Sequence, residues 1–346
     1  MDALVRQPSE EIEQVLHELS MGGVPSATLV VVTTGSQPFA RGSVAVLLSP
    51  HDVPAAQVVE EMLRDATLVD REGFDGFLIS EHHAGLPGYI PNPLQFLGWA
   101  LGDTPRAWGA PCPLLLPLRP TGIVAEEAAW LAVRYPRRVG IGVAVGAAPA
   151  DFEIAGVPFD ERSARYRAAL GELVGALSGA ATGALANDAA VQQCRDHPVP
   201  VVSATTTKLG VRVAAAAGAG IMLDGLSPLS WSIELADRYR DAGGRGPVVL
   251  SRRAWWGEAP ASAAADDVQR YRSFTPSATH DRITTDDSMI VHHDADEVAV
   301  RLRAAREATN ADCLSLRLNL PGIGPAAVRD QISRFGAEIV PRLRSG

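Results

Sequence analysis

The stretch that decides the fold is FDGFLISEHHAGLPGYIPN, residues 74–92. At strand period one face carries Phe74, Gly76, Leu78, Ser80 and His82, and the other Asp75, Phe77, Ile79, Glu81 and His83. Small residues alternate with bulkier ones on the first face, and the second has a continuous bulky pair. That division suits one stave of a closed barrel, with the first face toward a crowded interior and the second toward covering helices. His82 then looks into the barrel at the carboxyl end of the strand, where barrel enzymes keep their chemistry. From these residues alone, a pair of histidines in a polar loop is an open alternative.

Working outward, strand-like and helical runs alternate from residue 42 to the end. The strand-like runs are 42–49, 74–80, 110–118, 138–145, 200–203, 220–223, 247–256 and 312–318. Between them lie helical runs at 53–71, 93–102, 121–134, 160–178, 207–217, 230–241, 261–273 and 294–306, and 324–343 closes the chain. The helix at 53–71 places Val58, Met62, Ala66 and Val69 on one stripe, and the last helix does the same with Val328, Ile332, Phe335 and Ile339. Such alternation predicts an α/β fold, a (β/α)8 TIM barrel in one domain over residues 42–346. An open doubly wound sheet is the alternative, but no Gly-rich dinucleotide turn follows its first strand. Residues 1–41 read as an N-terminal extension, with a short acidic helix at 9–19 and a strand-like run at 27–33. Residues 179–197 read as a surface loop. Residues 275–292 have no clear period and are long enough for a functional loop.

Four segments carry candidate chemistry besides His82. GIGVAVGAAP, residues 140–149, lacks the dinucleotide fingerprint in its required setting, so its glycines mark either ligand contact or close barrel packing. Thr205, Thr206 and Thr207 sit between a buried strand and a helix, where hydroxyls and unpaired N–H groups suit a phosphate, with Lys208 adding charge. Simple N-capping is the alternative there. His292 and His293 precede Asp294 and Glu297, a helix start that explains the segment without a metal. Of Arg252 and Arg253, and likewise of Trp255 and Trp256, one should enter the barrel mouth and the other face outward.

Bulk properties narrow the function. A net charge of −9 on 346 residues excludes a phosphate-neutralising nucleic-acid binder. Three scattered cysteines imply neither a disulfide framework nor a zinc cluster. The absence of a long apolar run or a signal-like start makes a cytoplasmic protein with no membrane partner the expectation.

Several segments, in order, resemble the bacterial luciferase-like flavin monooxygenase family: GFDGFLISEHH with NPLQFLGWALG, then the run 125–162, the run 198–221 and the run 314–344. The resemblance implies a barrel that takes reduced FMN from a separate flavin reductase and uses molecular oxygen on a small organic or natural-product intermediate. Related members instead use a deazaflavin for hydride transfer, and a non-catalytic barrel paired with an active partner is a further alternative. By resemblance a homodimer is expected, and His82 acts near the reacting flavin carbon. Cys112 and Pro113 would lie beneath the flavin ring, joined by a cis peptide. Ala144, Val145 and Gly146 would contact the cofactor, and Thr205–Thr207 its phosphate. No metal is expected. The sequence departs from the family pattern at residues 119–123 (Arg-Pro-Thr-Gly-Ile), at 131–132 and 135–138, and at Val145, where luciferase-like members carry a phosphate-binding Arg.

Overall fold

The computed structural model describes residues 36–258, 261–275, 280, 289–320 and 322–345. The chain divides into Met1–Thr33, which lies outside the described residues, and the unit Thr34–Gly346. The helix read at 9–19, the strand read at 27–33 and most of the loop read at 275–292 therefore lie outside them too.

The described unit is a parallel barrel. Its strands are β1 (Ser43–Leu48), β2 (Gly76–Ile79), β3 (Trp108–Pro111), β4 (Leu114–Leu115), β5 (Ile141–Ala144), β6 (Val201–Ala204), β7 (Gly220–Leu223), β8 (Val248–Trp256), β9 (Met289–His292) and β10 (Cys313–Arg317). They hydrogen-bond in the order β3-β2-β1-β10-β8-β7-β6-β5-β4, with β9 against the end of β8. β3 and β4 are two pieces of one stave, interrupted at the cis Cys112–Pro113 bond that the resemblance implied. A bridge from Gly109 to Val139 completes the ring beside it. The eight staves are thus β1, β2, β3/β4, β5, β6, β7, β8 and β10.

Helices cover the outside: α1 (Ala55–Arg71), α2 (Pro93–Asp103), α3 (Thr121–Arg134), α4 (Pro149–Ala155), α5 (Arg162–Leu177), α6 (Ala189–Gln193), α7 (Lys208–Ala217), α8 (Leu229–Asp241), α9 (Ala261–Phe274), α10 (Ala295–Thr309), α11 (Pro325–Arg334) and α12 (Val340–Arg344). The stripe read on α1 is real, for Met62, Ala66 and Val69 are all fully buried. Each large side chain so placed contributes on the order of 2 kcal/mol. The closing helix is not uniform. Phe335–Ile339 forms a π-turn ahead of α12, which accommodates Pro341, a residue without an N–H for the preceding turn. No described helix is long and apolar enough to cross a membrane.

Two packed regions confirm the strand-period reading. Phe77 and Ile79 join the large cluster between barrel and helices, while Leu78 joins the interior cluster with Ala45, Leu47, Trp108, Ala110, Cys112, Val202, Met222, Val249 and Cys313. Phe74, read on the inner face, instead packs in the outer cluster, because it precedes the extended part of the strand. Phe39 belongs to the interior cluster and meets the Trp108 ring edge-on at 5.2 Å.

Three loops are more structured than their composition indicated. The Gly/Pro run after β5 contains α4, the run 179–197 contains α6, and the run 275–292 ends in β9. The third stave also begins earlier than read, at Trp108 rather than residue 110.

Candidate functional site

The carboxyl ends of the staves surround a cavity of about 460 Å³, a size ordinary for a cofactor or small-molecule site. His82 lines it, as the strand period required. What fixes His82 comes from elsewhere. Gly146, at φ +85°, lets the chain leave β5 in a backbone conformation that a side chain rarely adopts. The chain then enters α4, which starts on Pro149 and ends on a left-handed Gly156. Asp151, in the first turn of that short helix, is 1% exposed. One of its oxygens lies 2.7 Å from His82 Nδ1, and the other accepts the His83 backbone N–H at 2.7 Å. A carboxylate accepting at Nδ1 places the proton there and fixes the orientation of the ring.

Glu81 is the anchor beneath. It is completely buried and accepts from Leu115 N (2.5 Å), Arg119 Nη2 (2.6 Å) and His83 Nε2 (3.1 Å). The bond to Glu81 raises the His83 pKa above its ordinary value, opposed by partial burial and aided by the Glu81 and Asp151 charges. Arg119, one of the departures from the family pattern, therefore ends in an ion pair with the fully buried Glu81 carboxylate. Further bonds between Cys112 N and Ile79 O (2.7 Å), and between Glu81 N and Pro113 O (2.9 Å), lock β2 to the broken third stave.

Pro113, Ala144, Val145, Gly146, Thr205, Thr206 and Thr207 all line the same cavity as His82. Cys112 lies one layer below it, completely buried, with its Sγ 3.2 Å from Met222 Sδ. Burial pushes that thiol up, so it is an inert part of the floor. The glycines of residues 140–149 divide by role. A Cβ at Gly142 would run into Cys112, and one at Gly140 would meet Phe39 and Pro38, so these two serve packing, whereas Gly146 lines the cavity as well as lying close against the Phe152 ring.

Thr207 caps α7 by accepting from Gly210 N at 3.0 Å, and Thr205 Oγ1 accepts from Thr207 N at 3.3 Å. Capping thus uses two of the three threonines. A Cβ at Gly210 would run into Thr205 Oγ1, so the glycine makes room for that hydroxyl. Lys208 does not add its charge here. It pairs with Glu234 at 2.5 Å and lies 5.1 Å from the Trp231 ring, because position 208 on the helix turns it outward. The cations at this end come instead from α5, as Arg162 and Arg167 both line the cavity. Arg162 is held against Phe159, 3.8 Å above its ring and donating to its carbonyl at 2.7 Å.

On the far side, Tyr89 meets the His82 ring edge-on at 4.4 Å and donates its hydroxyl to Tyr271 at 2.6 Å. Desolvation, with Tyr271 adding to it, raises the Tyr89 pKa well above the ordinary phenol value, so it stays a proton donor. Arg317 lies 5.5 Å from the Tyr271 ring and forks onto Asp267 with two 2.8 Å bonds. Burial pulls the Arg317 pKa down, but Asp267, Tyr271 and Tyr89 more than offset this and leave it raised. Of the arginines read as candidate cations, Arg253 is buried against Asp267, and Arg252 faces the Asp224, Ser227 and Ser251 carbonyls. Trp255 is buried, while Trp256 sits under Arg334 at 4.2 Å and donates to the His293 carbonyl. Asp294 caps α10 by accepting from Asp296 N, and its own N–H is taken by His292 rather than by Glu297. Among the described residues, no three His, Cys, Asp or Glu side chains are grouped to hold a metal.

Asp151, Tyr89, Arg162 and Arg317 were not singled out from the sequence. Asp151 had a weak signal, a carboxylate just after Pro in the first turn of a helix, but nothing in its spacing points to His82.

Residues 41–335 match the family model described as luciferase-like monooxygenase. An F420-dependent glucose-6-phosphate dehydrogenase of Beutenbergia cavernae is 30% identical over 176 residues, 47% of this chain and 52% of that one. The chain thus spans about half the length of that relative. The monooxygenase RslO1 from Streptomyces bottropensis superposes with a TM-score of 0.71 at 21% identity, covering 86% of this chain and 99% of that one. The oxygenating constituent of 3,6-diketocamphane monooxygenase from Pseudomonas putida, solved with FMN, gives 0.69 at 17% identity, over 87% and 98%. At these identities the two structures speak for the fold alone.

Proposed function

The chain belongs to the luciferase-like monooxygenase family, and on that premise we propose that it is a monooxygenase using reduced FMN and molecular oxygen on a small organic molecule. The observation that carries this reading is His82, an imidazole on the cavity wall whose Nδ1 is held by the buried Asp151. An imidazole held in this way can take or return a proton beside the cofactor with its orientation already set.

The residues present fit a flavin. Pro113, Leu115, Val145 and Met222 give apolar wall, and Gly210, without a Cβ, lets the Thr205 hydroxyl pack against the start of α7. Thr205–Thr207, the first N–H groups of α7, Arg162 and Arg167 would hold the phosphate. The two arginines supply from α5 the charge that Val145 lacks. When bound, reduced flavin would supply the activation of oxygen, which no side chain here can perform. This chain's own part is to seat the ring, fix the phosphate and hold a proton at His82. A flavin reductase would deliver the cofactor. The exposed Trp99, Ile123 and Trp130 on α2 and α3 support pairing with a second copy of the chain.

A deazaflavin-dependent hydride transfer is the second reading, favoured by the sequence match to the Beutenbergia dehydrogenase. Anaerobic titration with reduced FMN and with a reduced deazaflavin, each followed by mixing with oxygen, separates them. We expect reduced FMN to bind and the protein to change its rate of reoxidation, with the change lost in His82→Ala. Binding of the deazaflavin alone would establish the second reading, and binding of neither would remove both.

A further inference from the structure

Resting on that cofactor reading, we propose that the substrate is a carboxylate on an apolar body and that Arg317 receives the carboxylate across the barrel from the phosphate end. The register of the staves sets this up. Ser315 pairs with Ser251 and Arg317 with Arg253, so β8 and β10 carry matching serines in one interior layer and matching arginines in the next layer up. Asp267 descends from α9 between the arginines, and its two bonds to Arg317 hold that guanidinium rigid. Only the terminal nitrogens of Arg317 are used. Its Nε–H is buried without an acceptor, in a side chain 7% exposed that lines the cavity. One layer beneath, on the same strand, Ser315 Oγ is likewise buried without a partner. Of these two unpartnered donors only Arg317 belongs to a residue that lines the cavity, so its Nε–H is the one positioned for an acceptor brought by a ligand.

Charge agrees with this. The chain carries −9, yet the charged residues lining the cavity are Arg162, Arg167 and Arg317, the last paired with Asp267 behind it, against Asp224. Asp224 is itself occupied by Leu226 N, Ser227 N and Ser227 Oγ. A wall whose sign opposes that of the whole molecule selects anions.

Topology separates the anion at Arg317 from the cofactor phosphate. Around the eight-stave ring, β10 stands four places from β5, whose following segment leads to Arg162 and Arg167. His82 on β2 lies between, two places from each. From His82 the wall runs through Tyr89 and Tyr271 to Arg317, with Leu47 and Leu226 as apolar lining. A substrate tethered at Arg317 would therefore lie along aromatic surface with its reacting end toward His82.

The test uses 2-naphthoate and its neutral isostere 2-naphthamide, titrated calorimetrically into the full-length protein with and without FMN. Wild type should prefer the acid by about tenfold, the usual worth of a hydrogen bond to a charged group. Arg317→Met should bring that preference close to one and leave the FMN titration unchanged. If Arg317→Met does not fold, Arg317→Lys keeps a charge against Asp267, has no Nε–H, and must lose most of the preference. Equal binding of acid and amide, binding of neither, or a preference that survives substitution would overturn the proposal. So would a loss of FMN affinity in the variant, which would move Arg317 to the cofactor. Failure of wild type to bind FMN would count against the cofactor reading alone, and the naphthoate arm without FMN would still decide this one.

Discussion

Asp151 holds His82 and His83 at once, one carboxylate oxygen on the His82 ring and the other on the His83 backbone N–H, both at 2.7 Å. A single side chain therefore sets the ring orientation and the backbone from which the ring projects. Asp151→Asn keeps the shape but can present a donor to Nδ1, favouring the other tautomer. Turnover should fall by roughly 10- to 100-fold, the usual cost of losing such a supporting partner. Flavin affinity should stay within a factor of about two, since Asp151 is not among the residues assigned to the phosphate. A pH–rate profile that does not move would show that Asp151 merely packs.

The phosphate end depends on cations from α5. The double substitution Arg162→Ala/Arg167→Ala should weaken FMN binding by about tenfold or more while leaving riboflavin, which has no phosphate, unaffected. Fluorescence titration of both flavins checks this. Equal losses for both would mean that the arginines shape the cavity rather than bind the phosphate.

Glu81 is a structural charge. Glu81→Ala leaves Leu115 N and the half-buried Arg119 without their acceptor, so urea denaturation should show a loss of about 3 kcal/mol. A loss below about 1 kcal/mol would mean that the third stave is held mainly by its backbone bonds.

The His83 pKa is raised in the fold, first by its bond to Glu81. A raised pKa contributes stability that is fully present below the unfolded value near 6.5 and is lost as pH rises through the folded one. The urea midpoint of wild type should therefore decline from about pH 6.5 upward, and the decline should be smaller in His83→Gln. Parallel curves for the two proteins would refute the assignment.

Much of the architecture was readable because barrel burial leaves a local signature. Leu78 and His82 fall on the inner face and Phe77 and Ile79 on the outer, as period two requires. The stripes on α1 and α11 follow from the same rule at helical period. The loops were misread where a few capped residues made structure that no window could show, as with Pro149 and Gly156 around α4.

The sequence by itself determined the barrel, the place of His82 at the end of the second stave, and the gathering of Pro113, Val145, Gly146 and Thr205–Thr207 at one end of the ring. The barrel and the face of His82 rest on spacing along single elements, which hydrophobic burial enforces locally, whereas the grouping of Pro113, Val145 and Gly146 with the threonines was implied by the family resemblance. Only the tertiary structure decided what acts with them. Asp151 lies 69 positions from His82, and Asp267 lies 50 from Arg317. Lys208, next to the phosphate threonines in sequence, turns away to Glu234, while Arg162 and Arg167 arrive from another helix. Charge pairs form between side chains that the closed ring brings together, and ring closure is a property of all eight staves rather than of any one stretch.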